Sequence, residues 1–574
     1  MLEPVERRSS SEVGSRFRGG LFDKRRMVAG AGFNRWLAPP AALAVHLSIG
    51  MAYGFSVFWL PLSKALPGVS TCAADMSWLA ELTAADCNWR MQSLNVTFVL
   101  FTVVLGIAAA VWGNWVERVG ARKAAVVSAL CWCGGLALGA VAIRIHQLWL
   151  LWLGTGVIGG IGLGLGYISP VAILLRWFPD RRGMATGMAV MGFGGGAMIG
   201  APLAVALMKQ FQTPTDPGVA LTFLCLAAIY SVFMLSGAFG YRLPARSWQP
   251  PGWTPPNNGP AVTENRSVHV SQAWKTPAFW CVWGVLCLNI SAGIGVLAMA
   301  SPMLQEIFGG RLIGLDLGIE QLDANQRTQI AVIAVGFTGL LSLFNISGRV
   351  FWSVLSDRIG RKNTFYCLFL MGIPLYAVMP TLSHGGHVVL FAAGLCVVMS
   401  GFGAGFAVAP AYLSDLFGTE MVAAIQGRIL TAWSTAGVIG PLMINALRNH
   451  ELAHAQELAR SYDSAFYVLA ALLFVGLICN AMVRPVADRH FMSPAELEKH
   501  RREIRNHTWN GSSSSKGVVM PSAPSVTVSV PALSVGSVAM PSAWSATAAV
   551  VWLGVSIPIA WGIWITLQRV AVLL

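Results

Sequence analysis

Charge is scarce in this sequence. Only 11% of the residues are charged, against roughly 25% in a soluble domain, too few to clothe the surface of a water-soluble chain of this size. Acids are the rarer sign, and the net charge is +14. No Asp or Glu lies deep in the first twelve apolar stretches, so the carboxylate that a carrier of hydrophobic cations or drugs would use is missing. The ten cysteines show no metal-ligand spacing. No phosphate-binding loop and no nucleophile–base set is evident. These absences argue against an enzyme, a cofactor and an ATP-driven pump. The alternating apolar/polar pattern of a membrane barrel is also absent, so spanning segments must be helices.

What the chain has is apolar length. Hydrophobic residues make up 55%, and about 20 in a row cross the hydrocarbon core. Twelve stretches qualify, at 41–62, 92–112, 124–143, 148–175, 184–208, 219–241, 277–300, 329–352, 363–381, 388–413, 421–447 and 463–483, and a thirteenth at 543–567. Basic residues concentrate in the N-terminal arm, in alternate loops and after the twelfth stretch; Asp75, Glu81, Asp86, Glu306, Asp316, Glu320 and Asp323 mark the opposite loops. Positive loops stay inside. The N-terminus is therefore expected in the cytoplasm, and the positive charge needs no nucleic-acid partner. The arm is too charged, and the first stretch too long, for a cleaved signal.

A submotif recurs 240 residues apart. GNWVERVGARK (113–123) matches SVLSDRIGRK (353–362): Glu117 with Asp357, Arg118 with Arg358, Gly120 with Gly360, Lys123 beside Arg361-Lys362. The offset continues through Pro170/Pro410, Gly187/Gly427 and Gly200/Gly440. Two apolar halves on one plan indicate a transporter built from parallel repeats. Domains follow: a basic arm (1–40), a six-helix half (41–241), a central cytoplasmic loop (242–275), a second half (276–484), a tail and Ser/Val/Ala/Pro linker (485–540), and an extra helix (541–574). The linker's length makes that helix peripheral to transport.

The repeated loop is expected to gate the inner side. Its residues are Glu117, Arg118, Gly120 and Arg122, with Asp357, Arg358, Gly360 and Arg361. Gly permits the tight turn, and the acid can pair with a basic residue or a neighbouring helix N-terminus. Cys72 and Cys87 share the first outer loop and are a disulfide candidate.

These residues resemble the major facilitator superfamily, and within it the oxalate/formate antiporter group close to the monocarboxylate transporters. The resemblance spans about residues 40–485. It is carried by YGFSVFWLPL (53–62), YISPVAILLRWFPDRRGMATGMAVMGFGGGAMIGAPL (167–203), NISGRVFWSVLSDRIGR and APAYLSDLFG. It implies an all-α integral membrane fold of two six-helix halves around a central cavity, alternating access by rocking, and a bacterial inner-membrane location. The thirteenth stretch looks like a small single-span protein found with some such transporters, fused here.

Arg349 is the leading candidate for substrate contact. It lies eight residues before Asp357, about 12 Å inside the membrane at 1.5 Å per residue. Its repeat counterpart is Ala109, so the scaffold needs no cation there. A guanidinium fork suits a carboxylate; the competing reading is an arginine snorkelling to the surface. Asn345 is one turn earlier on the same face. In the resembled family an arginine at this place engages the substrate carboxylate. Oxalate carriers add a lysine in the pattern Thr-Ala-Lys, where this chain has Thr431-Ala432-Trp433. The lysine that monocarboxylate transporters use in their first span is not evident either. One cation favours formate-, lactate- or pyruvate-like monocarboxylates over oxalate. Arg428 reads either as a gate or packing residue or as a second anion contact. Tyr53, Tyr167, Phe402 and Trp433 can line the cavity, or merely pack. His46 can carry a proton, or merely pack between helices. The expected partners are a small carboxylate, protons or a counter-anion, and the bilayer, with the carrier a monomer. A drug efflux carrier and a membrane sensor on a carrier scaffold are the alternatives.

Overall fold

The structure, a computed structural model, describes residues 27–30, 32–245, 248–253, 266–454, 458–507 and 546–570. The basic arm up to Arg26, Arg246, the linker 508–545 and Trp544 lie outside the described residues. Among the described residues the chain is all-α, with thirteen helices long and apolar enough to cross a membrane. They are α1 Arg35–Leu62, α2 Met91–Val119, α3 Ala121–Arg144, α4 Leu148–Trp177, α5 Arg182–Phe211, α6 Val219–Gly240, α7 Pro277–Ile313, α8 Ala324–Ile359, α9 Arg361–His384, α10 Val388–Phe417, α11 Val422–Ala453, α12 Asp463–Met482 and α13 Thr547–Gln568. Most run several residues past the apolar stretch that announces them, because a helix continues into the interfacial region until a turn residue stops it. The protein is a multi-pass membrane protein.

Short loops alternate the helices between two ends, one basic and one bearing a disulfide. At the basic end Gly120 and Gly360 sit at φ +90° and +87°, a conformation that other residues rarely adopt. Each starts a helix whose first turn caps another helix of the same half. Arg122 donates to Tyr241 O beyond α6 at 2.9 Å, and Lys362 donates to Val483 O beyond α12 at 2.8 Å. Arg122 thus ties α3 to α6, within its own half. At the other end Cys72 and Cys87 form a disulfide with Cα atoms 4.9 Å apart. Burial opposes the charge of Glu81 nearby, but hydrogen bonds from Arg90 and Ser93 hold its carboxyl below the ordinary value.

The halves meet along two seams, α5 against α8 and α2 against α11. Glycine makes the approach close, since close contact between backbones is a main source of helix attraction in lipid. A Cβ on Gly183 would stand 2.3 Å from Ser353 O, and one on Gly113 2.9 Å from the Ala424 Cα.

α13 lies across one of these seams. Trp552 donates to Trp36 O at 2.9 Å, Val555 packs on Leu43 and Ala44, and Gly562 and Thr566 meet Met198 and Gly339. The helix therefore touches α1 and α5 of one half and α8 of the other. Trp561 and Trp564 remain exposed on its outer face.

Candidate functional site

Close packing of α5 on α8 decides where the Arg349 side chain can go. A Cβ on Gly187 would come 2.8 Å from Arg349 O, and one on Gly194 2.7 Å from its Nε. Only glycine leaves room for the guanidinium along this face of α5. The other seam has the same contact without the charge, for a Cβ on Gly427 would meet Ala109 O at 2.1 Å.

Arg349 is fully buried. Its Nε donates to Asn345 Oδ1 at 3.1 Å and its Nη1 to Val190 O of α5 at 2.9 Å. The guanidinium stands 5.0 Å from the Phe406 ring centroid on α10, within cation–π range. Nη2 has no partner. The snorkelling alternative does not describe this side chain, which is held inside by helices of both halves.

Aromatic rings enclose this free edge. Trp433 of α11 lies 5.0 Å from Phe406, 5.1 Å from Phe193, 5.3 Å from Tyr167 and 6.1 Å from Tyr53. The Tyr53 hydroxyl is beside Arg349 and Trp433. Tyr53 OH and Trp433 Nε1, like Arg349 Nη2, are buried donors without a regular hydrogen bond. Each such group carries a desolvation cost that an acceptor would relieve. The backbone supplies the position of Tyr53. α1 tightens to a 3-10 helix over Gly50–Phe58, starting at Gly50, where a Cβ would stand 2.3 Å from Phe193 O.

Arg349, Asn345, Tyr53, Tyr167 and Trp433 are thus brought together. Phe402 and Arg428 are not. The Phe402 ring packs on Gly293 of α7, where a Cβ would come within 2.3 Å. Phe406, one turn further along α10, takes the place beside Arg349. Arg428 points to the basic end, donating to Val270 O at 2.7 Å with its guanidinium 5.8 Å from the Trp274 ring. As a second anion contact it is misplaced, because its direction along α11 takes it to the segment before α7. Sequence reasoning missed Phe193 and Phe406. Phe193 was visible only as the one large residue in the string GFGGGA, and Phe406 as the residue a helical turn beyond Phe402. His46 is fully buried behind the rings, 5.3 Å from Tyr167 between centroids.

The repeated loop acids make a reciprocal crossing at the basic end. Asp357 of the second half accepts from Gly183 N and Met184 N, both at 2.8 Å, at the start of α5 in the first half. Glu117 of the first half accepts from Ala423 N at 3.1 Å, at the start of α11 in the second. Each carboxylate thus sits on the helix N-terminus of the other half, where exposed amides and the helix dipole favour an anion. Arg361 pairs with Asp357 at 2.6 Å and Asp415 at 3.3 Å, while Arg182 reaches Asp415 at 3.3 Å and Arg176 reaches Glu117 at 3.2 Å. Arg176, Arg182 and Asp415 were not among the sequence candidates, since only the fold brings them to the acids. Arg118 and Arg358 are exposed, and Arg122 belongs to the α3–α6 contact described above. Burial, followed by His500, Arg428 and Arg118 nearby, lowers the pKa of His269 in the segment before α7.

Comparison with known proteins agrees with this architecture. The Major Facilitator Superfamily pattern matches residues 69–441. The chain is 24% identical to the oxalate:formate antiporter of Oxalobacter formigenes, over 81% of this chain and 97% of that one. It is 26% identical to apicoplast pyruvate carrier 1 of Toxoplasma gondii, over 51% and 59%. Against human monocarboxylate transporter 14 it is 20% identical, over 82% and 95%. Among solved structures, a proton:xylose symporter superposes with a TM-score of 0.53 at 13% identity, covering 79% of this chain and 97% of the symporter. A bacterial homologue of the iron transporter ferroportin gives 0.53 at 16% identity, covering 78% and 99%. With the matched pattern spanning well over half of its residues, the chain belongs to the Major Facilitator Superfamily.

Proposed function

We propose that this chain is a secondary carrier of small monocarboxylates, with Arg349 as the carboxylate anchor. The observation that carries the reading is the unpartnered edge of Arg349. The buried guanidinium, the Tyr53 hydroxyl beside it and the Trp433 indole N–H offer N–H and O–H donors that make no regular hydrogen bond among the described residues. Such a set suits a single carboxylate, whose oxygens accept several charge-assisted hydrogen bonds. The rings of Phe193, Phe406, Tyr167 and Trp433 exclude water and suit a small flat or short-chained remainder. The names of the relatives, an oxalate:formate antiporter, a pyruvate carrier and monocarboxylate transporters, point to the same substrate class.

Transport follows from the two seams. The basic end faces the cytoplasm by the distribution of positive charge. Glu117, Asp357, Arg361 and the helix starts they clasp hold that end shut, and rocking of the halves about the seams parts them. Arg349 Nη1 bonds to α5 across the seam, so an anion at the guanidinium is felt by both halves at once. The test is uptake of labelled formate, lactate, pyruvate and oxalate into proteoliposomes. Saturable uptake of a monocarboxylate that Arg349→Ala abolishes is expected. Unchanged uptake by that variant overturns the assignment.

A further inference from the structure

We propose that His46 is the proton-carrying residue that couples carboxylate binding at Arg349 to protonation; this rests on the carboxylate reading above. The ring is wholly buried in α1, and both of its nitrogens face backbone carbonyls. Nδ1 lies against Ala189 O of α5, and Nε2 is 3.1 Å from Tyr167 O of α4. A carbonyl oxygen only accepts. A neutral imidazole has one N–H and can satisfy one of the two; its other nitrogen then sets a lone pair against an oxygen. The imidazolium satisfies both. The cage is shaped for the charged ring.

Two effects oppose that charge. The buried ring has no water to solvate its charge, and Arg349 is the charged group on the adjacent carbonyl of α5; the other titratable neighbour is the Tyr167 phenol. α5 joins the two cations. Ala189 O faces His46 while the next carbonyl, Val190 O, accepts from Arg349. With no anion present, two positive charges on consecutive carbonyls of one helix are costly, and the ring gives up its proton. An anion on Arg349 removes the repulsion and leaves the two carbonyls facing the ring to favour the proton. Carboxylate affinity and proton affinity at His46 then rise together, as reciprocity requires. The proton comes from water on the side from which the carboxylate enters. It adds to the free ring nitrogen and returns to water when the anion leaves on the other side; no bond in the carboxylate is made or broken. His46, Ala189 and Tyr167 all belong to the first half, so rocking leaves the cage intact. What rocking changes is Arg349, which arrives from the second half.

The experiment uses the full chain in detergent, weakly buffered, with formate and lactate as probes and a pH-indicating dye. Wild type is expected to take up about one proton per carboxylate bound. Affinity should tighten by up to about tenfold per unit fall in pH where the free ring is neutral and the bound ring charged. His46→Gln keeps a side-chain N–H and a similar size but cannot change charge. It should bind carboxylate with affinity independent of pH and without proton uptake. Carboxylate binding by wild type without proton uptake overturns the proposal. So does His46→Gln with the pH dependence of wild type. If wild type binds neither probe, the carboxylate reading fails, and this proposal with it. Should His46→Gln not fold, the dye measurement on wild type decides alone.

Discussion

The α5–α8 seam and the α2–α11 seam are built alike and used differently. In each, a glycine at the same repeat position, Gly187 or Gly427, lies on the backbone of a residue from the other half, Arg349 or Ala109. In each, the loop acid of one half caps a helix start of the other. The shared part is packing and clasp, the symmetric requirements of rocking. Among the differences between the seams is a charge at mid-bundle, where Arg349 stands in place of Ala109. A scaffold that manages with Ala109 on one side does not need a cation at this depth for packing, although Arg349 Nη1 also bonds to Val190 O across its seam. A buried unpaired charge costs several kcal/mol, a cost that the proposed carboxylate contact would offset. α13 sharpens the contrast, for it covers the seam with the arginine, running over α1, α5 and α8. The peripheral role expected from its long linker has to be weighed against that position, which spans both halves.

The largest expected effect breaks the asymmetry. Arg349→Ala should lower carboxylate transport by more than about 100-fold, since losing one partner of a buried charge-assisted contact costs roughly 2–5 kcal/mol. Arg349→Lys should recover little, because an ammonium cannot span Asn345, Val190 and a carboxylate as the fork does. Proteoliposome uptake, normalised to protein in the membrane, measures both.

Next come the glycines that make the seams equal. Overpacking typically costs 1–3 kcal/mol. Gly427→Ala brings a Cβ to 2.1 Å from a carbonyl oxygen and Gly187→Ala to 2.8 Å. Both should slow turnover, Gly427→Ala about tenfold and Gly187→Ala less. Gly187→Ala should also weaken binding, since it presses on the backbone of Arg349. Initial rates across substrate concentration separate the two effects. Equal losses in affinity would deny the asymmetry.

Smaller effects are expected from the clasp. Asp357→Asn and Glu117→Gln each weaken carboxylate-to-amide bonds, worth roughly 1.5–3 kcal/mol when buried. The Asp357 side chain is 16% exposed and that of Glu117 4%, so about 1–2 kcal/mol is the expectation. Both variants should open the basic end more often. The readout is faster labelling of a cysteine placed at Met184, and an unchanged rate in both would remove the gate reading.

Much of this was legible in the sequence. Apolar runs of about 20 residues can do little in lipid except span it, and all thirteen appear as helices. The 240-residue offset gave the seams their matched positions, because a repeat preserves depth along the bundle. Arg349 stood out because Ala109 occupies its counterpart position. What escaped were directions around and along a helix. Phe402 and Phe406 lie on one face a turn apart, and only the height of Arg349 on the neighbouring helix selects Phe406. Arg428 lies on the helix that carries Trp433, but its long side chain runs toward Val270. Arg122 looks like its loop companions, yet it reaches the end of α6. Asp415 and Arg182 are 233 residues apart and have no common motif, so nothing in the order of residues could join them.

The finest test concerns Trp433, which stands where oxalate carriers of the resembled group have lysine. Its indole touches four aromatic rings, and the next residue, Ser434, donates to Thr102 O across the α2–α11 seam at 2.7 Å. Position 433 therefore faces the space between the halves, opposite the seam that carries Arg349. In the wild type, a second carboxylate would enter this space facing rings and no further cation. An unpaired buried charge costs several kcal/mol, and each 1.4 kcal/mol is a factor of ten in affinity. Even with partial solvation, at least about a tenfold preference for the monoanion is expected. Trp433→Lys would put a cation on the second seam and make the two alike in charge as well as packing. Its ammonium and Arg349 repel in the empty site and any anion relieves that repulsion, but oxalate, which gains a partner at each end, gains the most. The preference should move toward oxalate by about tenfold. Competition among formate, lactate and oxalate on wild type and Trp433→Lys measures it. If wild type binds oxalate best and Arg428→Ala removes that preference, then Arg428 swings in from the basic end as the second anchor, and the one-cation site is wrong.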